Sequence, residues 1–574
     1  MPPRDANARN IVLHRSLLLF FAVVLVASFW PAPARAQEPE TVTIRVDAAT
    51  SLGPSRPVWD FFGYDEPNYT YAPHGSELVR ELSALDAAPV YIRAHNLLTT
   101  GDGTPSLKWG STNAYTEDST GKPVYDWTIV DRIFDTYIQA GARPYVEIGF
   151  MPEALSTHPE PYRHNFPKGP LYTGWSYPPK DYAKWAGLVH AWVRHCVEKY
   201  GAARVATWYW EVWNEPDIGY WHGTPEQYDK LYDYTADAVK RAFPSARVGG
   251  PATSGTVGAR AAGFLQQFLE HCATGKNFAT GKQGAPLDFI SFHAKGGPQF
   301  VDGHQRMGSA RHLRQVNGGF KIIHGFAKFA KLPVFISESD PDGCAACTPQ
   351  MDPRYGYRNT TLYPVYTAAV LNSTEELAAQ SHIRLAGVLT WAFEFEDQPI
   401  FTGFRTLATQ GVDKPQLNFF RMAGLMRGER VKAESSGAIT GAKMIETGVR
   451  DRQDVDAIAA RAERGITALI WNYQDDDVPG NGAAVKLEIA GIPPTQHRVL
   501  LRHYRLDGGH SNAYTVWQAM GSPRNPTPEQ FAKLRQAGQL QLLESPRWVS
   551  CEKGTLEVQF TLPREAASLV AVSW

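Results

Sequence analysis

Trp208-Tyr209-Trp210-Glu211-Val212-Trp213-Asn214-Glu215-Pro216 is an apolar run that ends in a carboxylate followed by proline. A strand buried on both faces reads as such a run, so Thr207–Trp213 is expected to be a parallel strand. A carboxylate at its end is costly to bury unless it is paired or used. Pro333-Val334-Phe335-Ile336-Ser337-Glu338 repeats the design, again closing on a glutamate.

Outward from these two, further apolar runs lie at Trp59–Tyr64, Val90–Ala94, Pro144–Gly149, Arg247–Pro251, Asp288–Phe292 and Gly387–Trp391, which makes eight in all. The connections carry helix signals. Thr224-Pro225-Glu226-Gln227 is a capping box with proline at the first helical position, and Tyr228, Leu231, Tyr232, Thr235, Val239 and Ala242 follow at helical spacing. Eight strands alternating with helices predict an α/β fold, a (β/α)8 TIM barrel with enlarged loops over residues 55–435. A doubly wound sheet requires a glycine-rich phosphate turn after its first strand, and Gly63-Tyr64-Asp65 is not one. Beyond residue 436 the pattern changes to short β-type runs at Ile466–Tyr473, Ala484–Ile489, Arg498–Tyr504, Thr555–Leu562 and Ser568–Trp574. Asp-, Gly- and Pro-rich turns separate them, so residues 436–574 are expected to form an accessory C-terminal β-sandwich. Thr41–Val46 alternates in the same way, and residues 37–54 are expected to add a strand to it.

The composition narrows the class. With 57 Lys+Arg against 58 Asp+Glu and 43% hydrophobic residues, the chain is neither disordered nor a general coat for nucleic acid. Its 16 Trp, 25 Tyr and 27 Phe suit a protein that stacks sugar rings on aromatic faces. The N-terminus carries Arg4, Arg9 and Arg15, an apolar run from Leu17 to Trp30, and the small-x-small site Ala34-Arg35-Ala36. Residues 1–36 are therefore expected to be a secretory signal, with no membrane association after cleavage and a periplasmic or secreted destination. Cys344-Ala-Ala-Cys347 is the only close cysteine pair among five cysteines. Without a second such pair it supplies no zinc set, and a local loop disulfide is expected. Cys196 lies on a helical apolar stripe and reads as a buried thiol. No metal or organic cofactor is expected.

A barrel carries its active site at the C-terminal ends of its strands. Glu215 on the fourth strand and Glu338 on the seventh then face each other across the mouth, the arrangement of a retaining glycosidase with one carboxyl as acid/base and the other as nucleophile.

Trp213-Asn214-Glu215-Pro216 is similar to the strand-four signature of the large clan of barrel glycosidases. With Arg143–Pro152, Tyr177–Tyr182 and His510–Trp517, it makes nearly the whole chain after the signal resemble family 39 glycoside hydrolases, the group of β-xylosidases and α-L-iduronidases. The resemblance implies Glu215 as acid/base, Glu338 as nucleophile and Asn214 as the partner of the sugar 2-hydroxyl. It places His95, His293 and Glu396 against the bound sugar, with Asp397 departing from the family's Phe-Glu-Glu pattern. Trp391, Tyr220 and Trp221 are candidates for sugar platforms or for core. His293-Ala294-Lys295-Gly296 looks more like the iduronidase branch, in which the lysine helps to bind a uronate carboxylate. Arg405 lies near where an arginine assists it, although Lys295 can equally pair with a carboxylate such as Asp340. The expected activity is that of an exo-acting β-xylosidase on xylo-oligosaccharides. An α-L-iduronidase or α-L-arabinosidase of the same fold, or a non-catalytic carbohydrate-binding barrel, are the competing readings.

Overall fold

The computed structural model describes residues 41–574; the expected signal segment lies outside the described residues. Eight parallel strands close into a barrel in the chain order Phe61–Tyr64, Tyr91–Ala94, Arg143–Ile148, Tyr209–Val212, Arg247–Thr253, Phe289–Lys295, Val334–Asp340 and Leu385–Trp391. Each expected run is one of these strands, within a few residues at its ends. The helix Pro225–Ala242 is capped as the sequence indicates: Thr224 accepts from the amide of Gln227, whose side chain returns the bond. Cys196 is buried on the helix Tyr182–Tyr200.

The twofold period of the strands sorts the barrel interior into layers. Tyr145 is paired with Tyr209 and Glu147 with Glu211, so the third and fourth strands send first a ring and then a carboxylate inward. The lower layer is a plug of aromatic rings around Phe335, with Tyr209 at 4.6 Å and Phe61, Tyr145 and Phe289 each at 5.4 to 5.9 Å of a neighbour. Two glycines make room in the wall. A Cβ on Gly63 meets the Trp391 ring at 2.4 Å, and one on Gly387 meets the Phe61 ring at 2.6 Å. The layer above is ionic.

Ten further strands form one sheet, and three short two-stranded ribbons lie apart from it. The sheet folds over until its ends meet: the rings of His503 and Phe560 are 4.7 Å apart, and Arg505 Nη2 donates to the Thr561 carbonyl at 3.1 Å. The two halves enclose an apolar core of Ile44, Val46, Ile466, Ile470, Leu487 and Val570. This is a sandwich made from a continuous sheet. Val42–Pro54 runs in its middle, antiparallel to Glu429–Ser435 and parallel to Ala483–Ala490. The sheet thus takes in Glu429–Ser435, upstream of the boundary expected at 436, because its alternating exposed residues and buried Val431 need a partner that the barrel does not offer. On its other face Leu469, Trp471 and Tyr473 pack into the barrel's core.

Candidate active site

The fourth strand stops at Val212, and the chain turns with Trp213 at φ 71° and Glu215 at φ 43°. Both are left-handed conformations that cost a side-chain-bearing residue of order 1–3 kcal/mol each, and such costs concentrate at functional sites. The turn aims Glu215 into the mouth, where its Oε1 lies 2.9 Å from His293 Nδ1 at the end of the sixth strand. Glu338, in the last turn of the seventh strand, lies on the opposite side. One carboxylate oxygen of each glutamate and a ring nitrogen of His293 lie within 4.8 Å of one another. That spacing matches the short separation of retaining enzymes, about 5–5.5 Å, and is too small for the roughly 6.5–9.5 Å of inverting ones.

The two carboxylates differ in their surroundings. Glu338 is touched by Lys295 Nζ, by Arg93 Nη1 at 3.3 Å, and by His95 Nε2 and His293 Nδ1 at 3.8 Å each. Burial alone pushes its pKa up, but His293, Lys295, Arg93 and His95 outweigh burial and hold it well below the ordinary carboxylate range. Burial and the Arg93 charge keep His95 itself neutral, so Lys295 and Arg93 are the dependable cations of the set. Glu338 is therefore the ionised group. Glu215 has no cation of this kind against it, and its side chain is the more exposed of the two, 12% against 7%.

Beneath them is the ionic layer. Arg93, fully buried, donates Nε to Glu211 at 2.6 Å and Nη2 to Asn214 Oδ1 at 2.9 Å, and stands 2.8 Å from Glu147. Glu147 in turn holds His95 Nδ1 at 2.6 Å, and Tyr145 donates to Glu211 at 3.1 Å. Arg93 ties Glu338 to Asn214, the residue beside Glu215. With its Oδ1 so engaged, Asn214 keeps an unpartnered, buried amide nitrogen as a donor. Replacing Arg93 with Met leaves Glu147 and Glu211 buried without their cation, and is expected to destabilise the fold by about 3–5 kcal/mol. A thermal midpoint unchanged from the parent refutes that account of the layer.

A cavity of about 440 Å³ opens over these groups, with Asp65, Lys108, Tyr172 and Tyr220 among its walls. Lys108 Nζ lies 2.8 Å from Asp65, which faces His95 Nε2 at 3.3 Å. Trp391 also lines it, its ring 4.2 Å from that of His95.

The profile of glycosyl hydrolases family 39 matches residues 42–553 of this chain. The chain belongs to that family. A β-xylosidase of Geobacillus stearothermophilus is 27% identical to this family 39 hydrolase over 500 residues, 84% of this chain and 86% of that protein. The α-L-iduronidase of Homo sapiens is 28% identical over 548 residues, 90% of this chain and 76% of its own. The crystal structure of a monomeric β-xylosidase from Caulobacter crescentus has the same fold, with a TM-score of 0.72 at 22% identity over 92% of this chain and 99% of that one.

In this family 39 hydrolase, then, Glu215, Glu338, His95, Lys295 and Trp391 all line one cavity, with His293 and Asn214 bonded directly beneath. Glu396 is not among them. Its Oε1 accepts from the amides of His74 and Gly75 at 2.8 and 3.3 Å, capping the first turn of the helix Pro73–Ser83, and it borders a different cavity. Arg405 is not a receptor for a substrate carboxylate either: it is fully buried, with Nη1 3.0 Å from Asp342 and Nε donating to the Trp391 carbonyl. Tyr220 lines the cavity, whereas Trp221 packs on Trp213 and bonds the Thr224 carbonyl as core. Cys344 and Cys347 are bonded to each other, and Cys344 borders the cavity. Sequence reasoning did not single out Asp65, Lys108, Glu147, Glu211 or the role of Arg93. The available signal was the twofold period, which puts Arg93, Glu147 and Glu211 on the inward face of apolar strands.

Proposed function

We propose that this family 39 hydrolase is a retaining exo-glycosidase that releases terminal β-D-xylosyl residues from xylo-oligosaccharides. The closeness of Glu215 and Glu338 carries the retaining part of the reading. Ionised Glu338 attacks the anomeric carbon while Glu215 gives its proton to the departing oxygen, which leaves a glycosyl ester on Glu338. Glu215, now the base, takes a proton from water, and water releases the sugar with its configuration retained. His293 holds Glu215 in line for both steps, and the free amide of Asn214 donates to the glycone's 2-hydroxyl. The choice of a neutral glycone rests on the cations. Lys295 is shared between Glu338 and Asp340, and Arg405 is taken by Asp342 and Asp340, so the pair a uronate needs is already neutralised. Export by residues 1–36 to the periplasm or medium belongs to the same reading, and the Cys344–Cys347 bridge suits an oxidising compartment.

A panel of nitrophenyl β-D-xylopyranoside, nitrophenyl α-L-arabinopyranoside and a fluorogenic α-L-iduronide tests it. Turnover of the xyloside, alone or with the arabinoside, is expected; turnover of the iduronide alone overturns the assignment. Lys295→Ala gives a second readout. Removing a positive charge from beside Glu338 raises its pKa, so more of it is protonated and inactive at a given acidic pH. The acid limb of kcat/KM against pH should move to higher pH for the neutral xyloside. If Lys295→Ala acts instead on KM, and only for the charged iduronide, the lysine serves a uronate.

A further inference from the structure

A second cavity opens at the barrel mouth beside the catalytic one. About 650 Å³ in volume, it is bounded by the loops that follow the eighth, first, second and third strands, and Phe166 is a wall of both cavities. Its walls are held in place. His164 Nε2 is bonded to the Lys108 carbonyl at 2.9 Å, and Arg163 Nη2 donates to Ser106 Oγ at 3.1 Å with its guanidinium over the Trp109 ring. Glu66 accepts from the Lys108 amide at 2.6 Å, and Glu396 is fixed by the helix it caps. A pocket formed before the ligand arrives binds without the cost of ordering its loops.

The polar groups facing it are mixed. Arg163 and Asn165 stand on one loop, and Glu396 and Asp397 on another, with Asp397 at φ 56°, a left-handed conformation for a residue that is not glycine. Tyr69 is a further wall of the cavity. It is 4% exposed, its phenol has no hydrogen-bond partner among the described residues, and burial with the carboxylates of Glu66, Asp397 and Glu396 pushes its pKa up. Two carboxylates exclude an anionic ligand, and Arg163 opposes a bare cation. The Phe166 ring, a free phenol, two acceptors and a guanidinium suit a ring that bears several hydroxyls. None of these groups takes part in the reaction at Glu215 and Glu338.

We infer that this cavity is a saccharide subsite for a neutral pyranose, separate from the catalytic cavity and divided from it by Phe166. Tyr69, Asp397 and Arg163 supply its hydroxyl contacts. The sugar is either a further residue of the chain whose end occupies the catalytic cavity or a free monosaccharide. The inference rests on the glycosidase reading above for the chemistry of its ligand.

The test is calorimetric binding of xylose, xylobiose and xylotriose to full-length protein inactivated by Glu338→Ala, with and without Tyr69→Phe and, separately, Asp397→Ala. For a continuous chain, xylotriose should bind about tenfold or more tightly than xylobiose, and both variants should remove most of that gain. For a free sugar, xylose should bind at a second stoichiometric site that both variants abolish. Either result supports the subsite. A gain that persists in both variants, or the absence of both a chain-length gain and a second xylose site, overturns it. Asp397 is exposed, so its replacement does not threaten folding if Tyr69→Phe does. Turnover of nitrophenyl xyloside by the unmodified enzyme is measured alongside. Its absence counts against the proposed function, whereas the variant-dependent binding reports on this cavity alone.

Discussion

Glu338→Ala is expected to lower kcat on every glycoside by about 10⁴ or more, which corresponds to about 5.4 kcal/mol of barrier. Without the carboxylate there is no atom to bond the anomeric carbon, and the covalent route is closed. The fold should survive the change. Arg93 keeps Glu147 and Glu211, and Lys295 keeps Asp340, so no buried cation is left alone. Azide, small and anionic, fits the vacated space beside those cations and attacks from the same face. Restored turnover should then yield a glycosyl azide of inverted configuration, visible by NMR. Near-normal activity in the folded variant removes Glu338 from the mechanism, and a retained azide product removes it as the nucleophile.

Glu215→Gln separates the two carboxylates by their dependence on the leaving group. Glutamine preserves the contact with His293 but has no proton to give. Xylobiose, whose departing alcohol is poor, should lose about 10²–10⁴ in kcat/KM, the range expected for lost acid catalysis. A nitrophenyl xyloside needs little help to leave and should lose far less in the first step. Its second step lacks the base, so the glycosyl-enzyme should accumulate as a burst of nitrophenol followed by slow turnover. Equal losses on both substrates, with no burst, assign the acid to another residue.

The barrel was legible because its strands are buried on both sides and so read as unbroken apolar runs. The two strand-end glutamates stood out for the same reason: each closes an apolar run at the C-terminal end of a strand. The ionic layer was less legible. Arg93, Glu147 and Glu211 interrupt apolar strands singly, and only the register between strands shows that three separate interruptions meet. Glu396 stands apart from the catalytic cavity although its sequence neighbours resemble a sugar-binding segment. Its carboxylate instead answers two free helix amides that no sequence pattern ties to it. Asp454–Ala462 escaped notice as a strand because aspartate and alanine outnumber its two branched residues, Val455 and Ile458, and Glu429–Ser435 because charge dominates it.

The strand Val42–Pro54 sits in the interior of the sheet, and its parallel partner arrives late: Arg45 meets Glu488 across 443 residues of chain. On a ribosome adding about 5–20 residues per second, that wait is roughly 20–90 s. The first strand to be synthesised is thus among the last to be satisfied, and it stays an unpaired apolar edge while the barrel's strands appear. A chaperone or a translocation channel that keeps this segment extended until Ala483–Ala490 is available protects it from pairing with another chain.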